Sequence, residues 1–371
     1  MKQIRPFVRD DIPQVADLHQ QVFGIRGKPA QRPLSPELLQ AYADYFEEIF
    51  FRNPWYDEAL PSLVYQEPAG RIVGFLGVMP RPMLLNGQSI KAALSSQFIV
   101  APESRPVGML LLKAFFAGPQ DLSLTDEANS ISRKLWEKLG GTIALLYSNH
   151  WTRPLRPSRF AVSLLSSFFQ ESKPWSYLVS ASRPICNLAD TIAVRKLPRY
   201  FQVPVPRVSA KDLKMETLLT YLSEFSNTRS LWPAYDDRSL KWLIKVIAQK
   251  ELLGALRITA VHNDKREMIG WYLYHLKPGG TSTVLQIVAR DNSMNEVLDH
   301  LFYDAWRQDS VAVSGRLDPR FAREVSDKYC LFNYGRPWVL IHSHNSDLLQ
   351  TFRDGDAMLS KLEGEWCMRF V

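Results

Sequence analysis

The chain has 371 residues, more than the usual single domain, and its 46% hydrophobic and 12% aromatic content supports two packed cores of about 150 to 200 residues each. Its net charge of +7 comes from scattered lysines and arginines, few of them beside exposed-type aromatics, which argues against nucleic acid as a partner. Cys186, Cys330 and Cys367 lack the spacing of a zinc site or disulfide framework, Met1 to Asp11 lacks the apolar core of a signal peptide, and no run approaches the roughly 18 apolar residues of a membrane span, so the expectation is a cytoplasmic protein in a reducing compartment.

In chain order, Ile4 to Val8 reads as a short strand. Asp11 with Gln14 has the pattern of a capping box, and Ile12, Val15, Leu18 and Val22 recur at helical steps until Gly24 closes the helix. Ser35 caps a second helix, with Pro36 as its first residue and an end near Phe51. Three antiparallel strands follow: Leu63 to Gln66, Arg71 to Met79 and Ile90 to Ala101, joined through Pro68-Ala-Gly70 and the hairpin signal Asn86-Gly87. The last strand runs into a helix through a Pro/Arg/Gly turn, where Pro102 ends the strand and Pro106 opens the helix. Free amides at that helix start, the helix dipole and Arg105 together make a site for a pyrophosphate. Asp121 to Leu124 is then a strand, and Asn129 to Gly141 a short helix with a glycine stop.

This order, with Arg105-x-x-Gly108 at the turn and Lys138-Leu-Gly140 at the end of the last helix, resembles the GNAT family of acyl-CoA-dependent N-acyltransferases over about Met1 to Trp151. Two residues depart from the family pattern: Leu110 replaces a usual Gly or Ala, and Pro106 removes one amide. The C-terminal half echoes the N-terminal one. Pro54-Trp-Tyr-Asp-Glu58 parallels Pro233-Ala-Tyr-Asp-Asp237, Arg71-Ile-Val-Gly74 parallels Glu267-Met-Ile-Gly270, Gln97-Phe-Ile-Val-Ala101 parallels Gln286-Ile-Val-Ala289, and Lys138 parallels Lys328. The expected fold class is therefore α/β (α+β), two tandem GNAT-like domains, each a mixed, mostly antiparallel twisted sheet flanked by helices. Residues 1–151 form the acyl-CoA-binding domain, 152–207 a helical, proline-rich connection, and 208–371 a degenerate second domain, whose turn puts Asp291 and Glu296 where an anion would be repelled. In the connection, Phe160 to Gln170 and Leu188 to Arg195 read as helices. The ten-residue apolar run Phe160 to Phe169 suits a buried helix, with a peripheral membrane contact as the alternative.

The resemblance implies an acyl-CoA co-substrate, most simply acetyl-CoA, and no metal, with an amine of a small molecule or peptide as acceptor and a homodimer as one possible assembly. It places the pantetheine between the strands at Ile90 to Ala101 and Asp121 to Leu124, with the main chain of Phe98, Ile99 and Val100 toward the thioester. Arg105, Val107, Gly108 and Met109 of the turn, and Asn129 of the next helix, would then contact the cofactor. Where family members carry a Tyr the chain has Trp136, which cannot release a proton, and where they often carry a Glu base it has Gln97. Tyr147 and His150 are the replacement proton donors nearest in sequence, with Asp126 and Glu127 as further candidates. His342 and His344 share one strand face without a Cys or carboxylate to complete a metal site. Two other readings stand beside the enzyme: a non-catalytic CoA-binding or scaffold protein of this fold, and a transferase that uses aminoacyl-tRNA as donor.

Overall fold

The computed structural model describes residues 3–24, 34–168, 183–226, 229–335 and 337–370. They form two mixed sheets flanked by helices. The strands are β1 (Ile4–Pro6), β2 (Leu63–Gln66), β3 (Ile72–Leu85), β4 (Gln88–Val100), β5 (Leu122–Ala128), β6 (Thr142–Ile143), β7 (Asn149–Pro154), β8 (Ser209–Asp212), β9 (Leu231–Pro233), β10 (Ala255–His262), β11 (Met268–Leu276), β12 (Thr281–Ala289), β13 (Ala312–Arg316), β14 (Leu331–Tyr334) and β15 (Trp338–His342). Four helices matter most for the site: α1 (Ile12–Phe23), α2 (Pro36–Phe46), α3 (Val107–Phe116) and α4 (Ser130–Lys138).

The first sheet runs β1-β2-β3-β4-β5-β15-β6, with β9 paired to the far end of β3, and the second runs β14-β7-β13-β12-β11-β10-β8. All pairs are antiparallel except β4 with β5 and β12 with β13. Asn86 and Gly87 turn the β3–β4 hairpin with positive φ of 51° and 81°, the left-handed angles that a two-residue loop takes. Both strands outrun their expected ends, despite Pro80 and Pro82. Val78 N–H donates outward to Ser62 Oγ, so the two prolines, in the same phase, aim their missing donors at an edge that β4 does not occupy.

The two parallel pairs share one geometry. Each holds for three residues, Ala92–Leu94 against Leu122–Leu124 and Thr281–Thr283 against Ala312–Ser314, and then the strands part while both continue. In each sheet a bulge accompanies the parting, near Gln97 (φ 50°) in β4 and between Leu273 and Tyr274 in the neighbouring pair. The result is a wedge-shaped opening in each sheet.

The sheets do not divide the chain at residue 151. β7 belongs to the second sheet, between β13 and β14, and β15 belongs to the first, between β5 and β6. Each half thus lends the other a strand. The Gly74/Gly270 and Gln97/Gln286 correspondences hold in register, since both glycines lie near the start of the strand preceding the wedge and both glutamines lie three residues past the last parallel pair. The Pro54/Pro233 correspondence does not. Pro54 follows the second helix of its half, while Pro233 ends β9 and leads into the helix Asp237–Ala248.

At the N-terminus, Asp11 does not cap α1 with its side chain. Its carboxylate takes Arg5 at 2.7 and 2.8 Å and the Val8 amide at 3.0 Å, while Gln14 Oε1 accepts from Ile72 N–H. The connecting helices run Pro157–Phe168 and Arg183–Lys196, shifted from the expected Phe160–Gln170 and Leu188–Arg195, and residues 169 and 170 lie outside the described residues. His342, expected on a two-histidine strand face, stacks on Phe116 with ring centres 4.0 Å apart, and His344 lies beyond the strand end.

Candidate functional site

The first wedge holds a cavity of about 440 Å³. Gln97 and Phe98 of β4 form one wall, Thr125, Glu127 and Ala128 of β5 the other, and α4 supplies Ser132 and Trp136 beneath. Asn129 stands at the mouth, where its side chain accepts from the Ile131 and Ser132 amides at 2.9 Å and starts α4. His19 and Phe23 of α1 close one side, and Glu365, Arg369 and Phe370 of the C-terminal segment close another.

Glu127 is the chemically distinctive residue here. Its Oε1 is buried and has no hydrogen-bond partner. Burial pushes its carboxyl up to about 7, and the Asp126 charge adds to the shift, against the pull of Lys361, Arg316 and Arg369. Asp126, the next residue, is fully committed. Its Oδ2 pairs with Arg316 of β13 at 2.8 Å, with both side chains buried, and its Oδ1 accepts from Glu365 N–H at 2.8 Å. Two adjacent carboxyls thus have separate environments, one neutralised by a guanidinium and one left open toward the cavity.

Glu365 Oε1 accepts from the Gln97 amide at 2.9 Å, on the bulge of β4. Burial pushes its carboxyl up to about 8, opposed by that amide and reinforced by Asp126 and Glu127. His19 lies between Tyr42 Oη (2.9 Å) and Gln97 Oε1 (2.7 Å), and burial lowers its pKa. Gln97 Oε1 can only accept, so His19 Nε2 is the donor of that bond.

The expected site residues scatter. Phe98 and Asn129 line the cavity, whereas Ile99 is buried in the first core and Val100 packs against it. Arg105 is exposed at the turn. α3 begins at Val107, with Pro106 as its N-cap, and Val107 packs beside Gly74. The amides of Gly108 and Met109 donate to the Arg105 and Pro106 carbonyls at 3.2 Å, so the expectation that they are free is corrected: the tight turn uses them itself.

The two expected proton donors are not in the wedge. Tyr147 lies in the single turn Leu145–Ser148, where its hydroxyl donates to Ala357 O at 2.9 Å and accepts from Ala357 N–H at 2.8 Å, and burial raises its pKa further. His150 lies in β7 of the second sheet. Burial, with the charges of Arg316 and Lys361, lowers its pKa to about 3, and neither ring nitrogen has a partner. An imidazole held neutral there donates no proton at physiological pH. Sequence reading missed His19, Phe23, Glu365, Arg369 and Phe370, because α1 and the C-terminal segment reach the wedge only through tertiary closure.

The second wedge holds a larger cavity, about 840 Å³, between the end of β12 and the turn after β13. Asp291 lines it, as the sequence suggested. Three arginines line it too, each held by a carboxylate: Arg229 by Asp318, Arg290 by Glu224 at 3.4 Å and Arg320 by Asp356 at 2.6 Å.

No family model and no curated protein matches the sequence. Solved structures do match the fold. A GCN5-related N-acetyltransferase from Anabaena variabilis aligns over 92% of this chain and 72% of its own, at 10% identity and a TM-score of 0.56. A probable N-acyltransferase from Enterococcus faecalis aligns over 95% and 74%, at 10% identity and a TM-score of 0.55. Saccharomyces cerevisiae N-myristoyltransferase with bound myristoyl-CoA and inhibitors aligns over 93% and 81%, at 9% identity and a TM-score of 0.51. Two sheets of one plan, each opened at its parallel pair, and neighbours that span nearly the whole chain establish that this protein has the GNAT fold, in two tandem copies with exchanged strands.

Proposed function

We propose that this chain is an acyl-CoA-dependent N-acyltransferase, with acetyl-CoA as the simplest donor and an amine of a small molecule or peptide as acceptor. The observation that carries the reading is the buried, unpartnered Oε1 of Glu127 in the wedge where β4 and β5 part. Fold likeness alone does not fix a reaction, whereas a buried carboxyl shifted toward neutrality in such an opening has the properties of a general base. Ionised Glu127 takes a proton from the acceptor ammonium. The freed nitrogen attacks the thioester carbonyl carbon, a C–N bond forms and the C–S bond breaks. The remaining acidic N–H proton of the adduct passes to the departing thiolate. Arg105, exposed beside α3, is the cation available to the donor's pyrophosphate, and Phe98 and Trp136 wall the slot for its apolar arm.

In this reading residues 1–151, completed by β15, carry the chemistry, and the second copy shapes the acceptor side of a cytoplasmic enzyme. The test is isothermal titration of acetyl-CoA into the native chain and into Arg105→Glu, followed by product assay over an amine panel. Heat that weakens in the variant, with acylated product, supports the transferase. Heat without product on any amine favours the binding-protein reading instead, and no heat in either chain overturns both.

A further inference from the structure

The helices Pro157–Phe168 and Arg183–Lys196, which join the two halves, pack against each other. On the second helix, Cys186 is buried and Ala189, Ala193 and Val194 are half-buried on the face turned to the protein. A surface helix with one apolar face ordinarily carries polar residues on the other. Here the outward face carries Ile185, Leu188 and Ile192, at three- and four-residue spacing, with exposures of 73%, 65% and 51%. Leu165 of the first helix and Leu197 just past the second are exposed as well. The helix is apolar on two sides, and among the described residues only one side is covered.

The charge of the chain gathers at the same place. Residues 156–207 contain eight Lys and Arg against only Glu171 and Asp190, so this segment holds +6 of the net +7, and the impression of scattered basic residues is corrected. Arg156 and Arg159 are drawn onto Asp309, and Arg199 onto Tyr329. Arg183, Arg195 and Lys196 are exposed at the two ends of the apolar stripe.

We propose that this helix pair docks the protein on an anionic lipid bilayer, with Ile185, Leu188 and Ile192 entering the boundary between headgroups and acyl chains and Arg183, Arg195 and Lys196 meeting lipid phosphates. An apolar stripe bracketed by cations is the pattern of a helix that lies in the membrane interface. Among the described residues no helix is long and apolar enough to cross a membrane, which leaves surface attachment as the mode of contact. A second copy of the same face is a poor alternative occupant, because a symmetric contact would set two strongly cationic surfaces against each other. The inference is independent of the acyl-transfer reading.

The test is co-sedimentation of the full chain with phosphatidylcholine vesicles, with and without phosphatidylglycerol. The expected result is binding to the anionic vesicles that falls with added salt and is weak on phosphatidylcholine alone. Arg195→Glu with Lys196→Glu should weaken it by at least about 25-fold, from roughly fivefold for each cation lost. Ile185→Ser, Leu188→Ser and Ile192→Ser together should weaken it by about tenfold or more while leaving Tm unchanged, since all three sites are exposed. The proposal is overturned by failure to sediment with anionic vesicles, or by sedimentation that neither variant alters. It is equally overturned if the serine variant instead dissolves a dimer of the native chain that ignores vesicles, or if the native chain shifts RNA but not vesicles.

Discussion

The two wedges have the same backbone and opposite side-chain chemistry. Counting from the last parallel pair, Asp126 in β5 and Arg316 in β13 stand at the same step, and the next step is Glu127 in the first copy and the buried Leu317 in the second. The first equivalent pair meets across the sheets as a buried ion pair, while the second contrasts an open carboxyl with a hydrocarbon. In the second wedge the arginines are each held by an acid, and among the described residues no buried carboxylate oxygen of its lining lacks a partner. Cavity size alone would rank the second opening first, whereas the state of the buried polar atoms singles out the first.

The largest expected effect breaks the contrast at its centre. Glu127→Gln should lower kcat for acyl transfer by about 10²- to 10⁴-fold with acetyl-CoA affinity preserved, as steady-state kinetics and titration calorimetry would show. In the native enzyme kcat/KM should fall as pH drops below about 7, because the base is then protonated. A wild-type rate in Glu127→Gln would leave the two openings chemically equivalent.

Next in size is the shared ion pair. Asp126→Ala leaves Arg316 buried without its carboxylate and should cost about 3 to 5 kcal/mol in urea denaturation, whereas Asp126→Leu combined with Arg316→Met should recover most of the loss. Failure of the double variant to recover would mean that the pair does more than balance charge between the sheets.

The smallest effect is the pH dependence set by Glu365. Its carboxyl titrates near 4.5 when unfolded and near 8 when folded, so the folded state holds the proton more tightly. The stability this confers is fully present below pH 4.5 and is lost as pH rises through about 8. Tm should decline over that window in the native chain and decline less in Glu365→Gln, which keeps an acceptor for the Gln97 amide. Identical pH profiles would show that burial of this acid is not what the C-terminal segment contributes to the first wedge.

Much of the first half was legible because its signals are local. Turn chemistry marked the Asn86-Gly87 hairpin, and element order carried the resemblance that implies an opening between the strands at Ile90 to Ala101 and Asp121 to Leu124. The strand exchange was not legible, since nothing local in Asn149–Pro154 or Trp338–His342 says which sheet receives it and only packing decides. Among the catalytic candidates, Tyr147 and His150 are near the wedge in sequence only, since their elements turn them into backbone contacts and the second sheet. Glu127 was within reach of sequence reasoning. The Gln97–Glu365 contact joins residues 268 apart, and no local pattern announces it.

The lent strands also constrain how the molecule is made. The ribosome releases β5 and β6 well before β15 exists, and at common elongation rates the gap between them stays open for about 10 to 40 s. Through that interval the nascent first sheet shows two unpaired edges to solvent, the kind of template that invites aggregation. The first wedge is therefore among the last features to be finished, although nearly all of its walls are translated first.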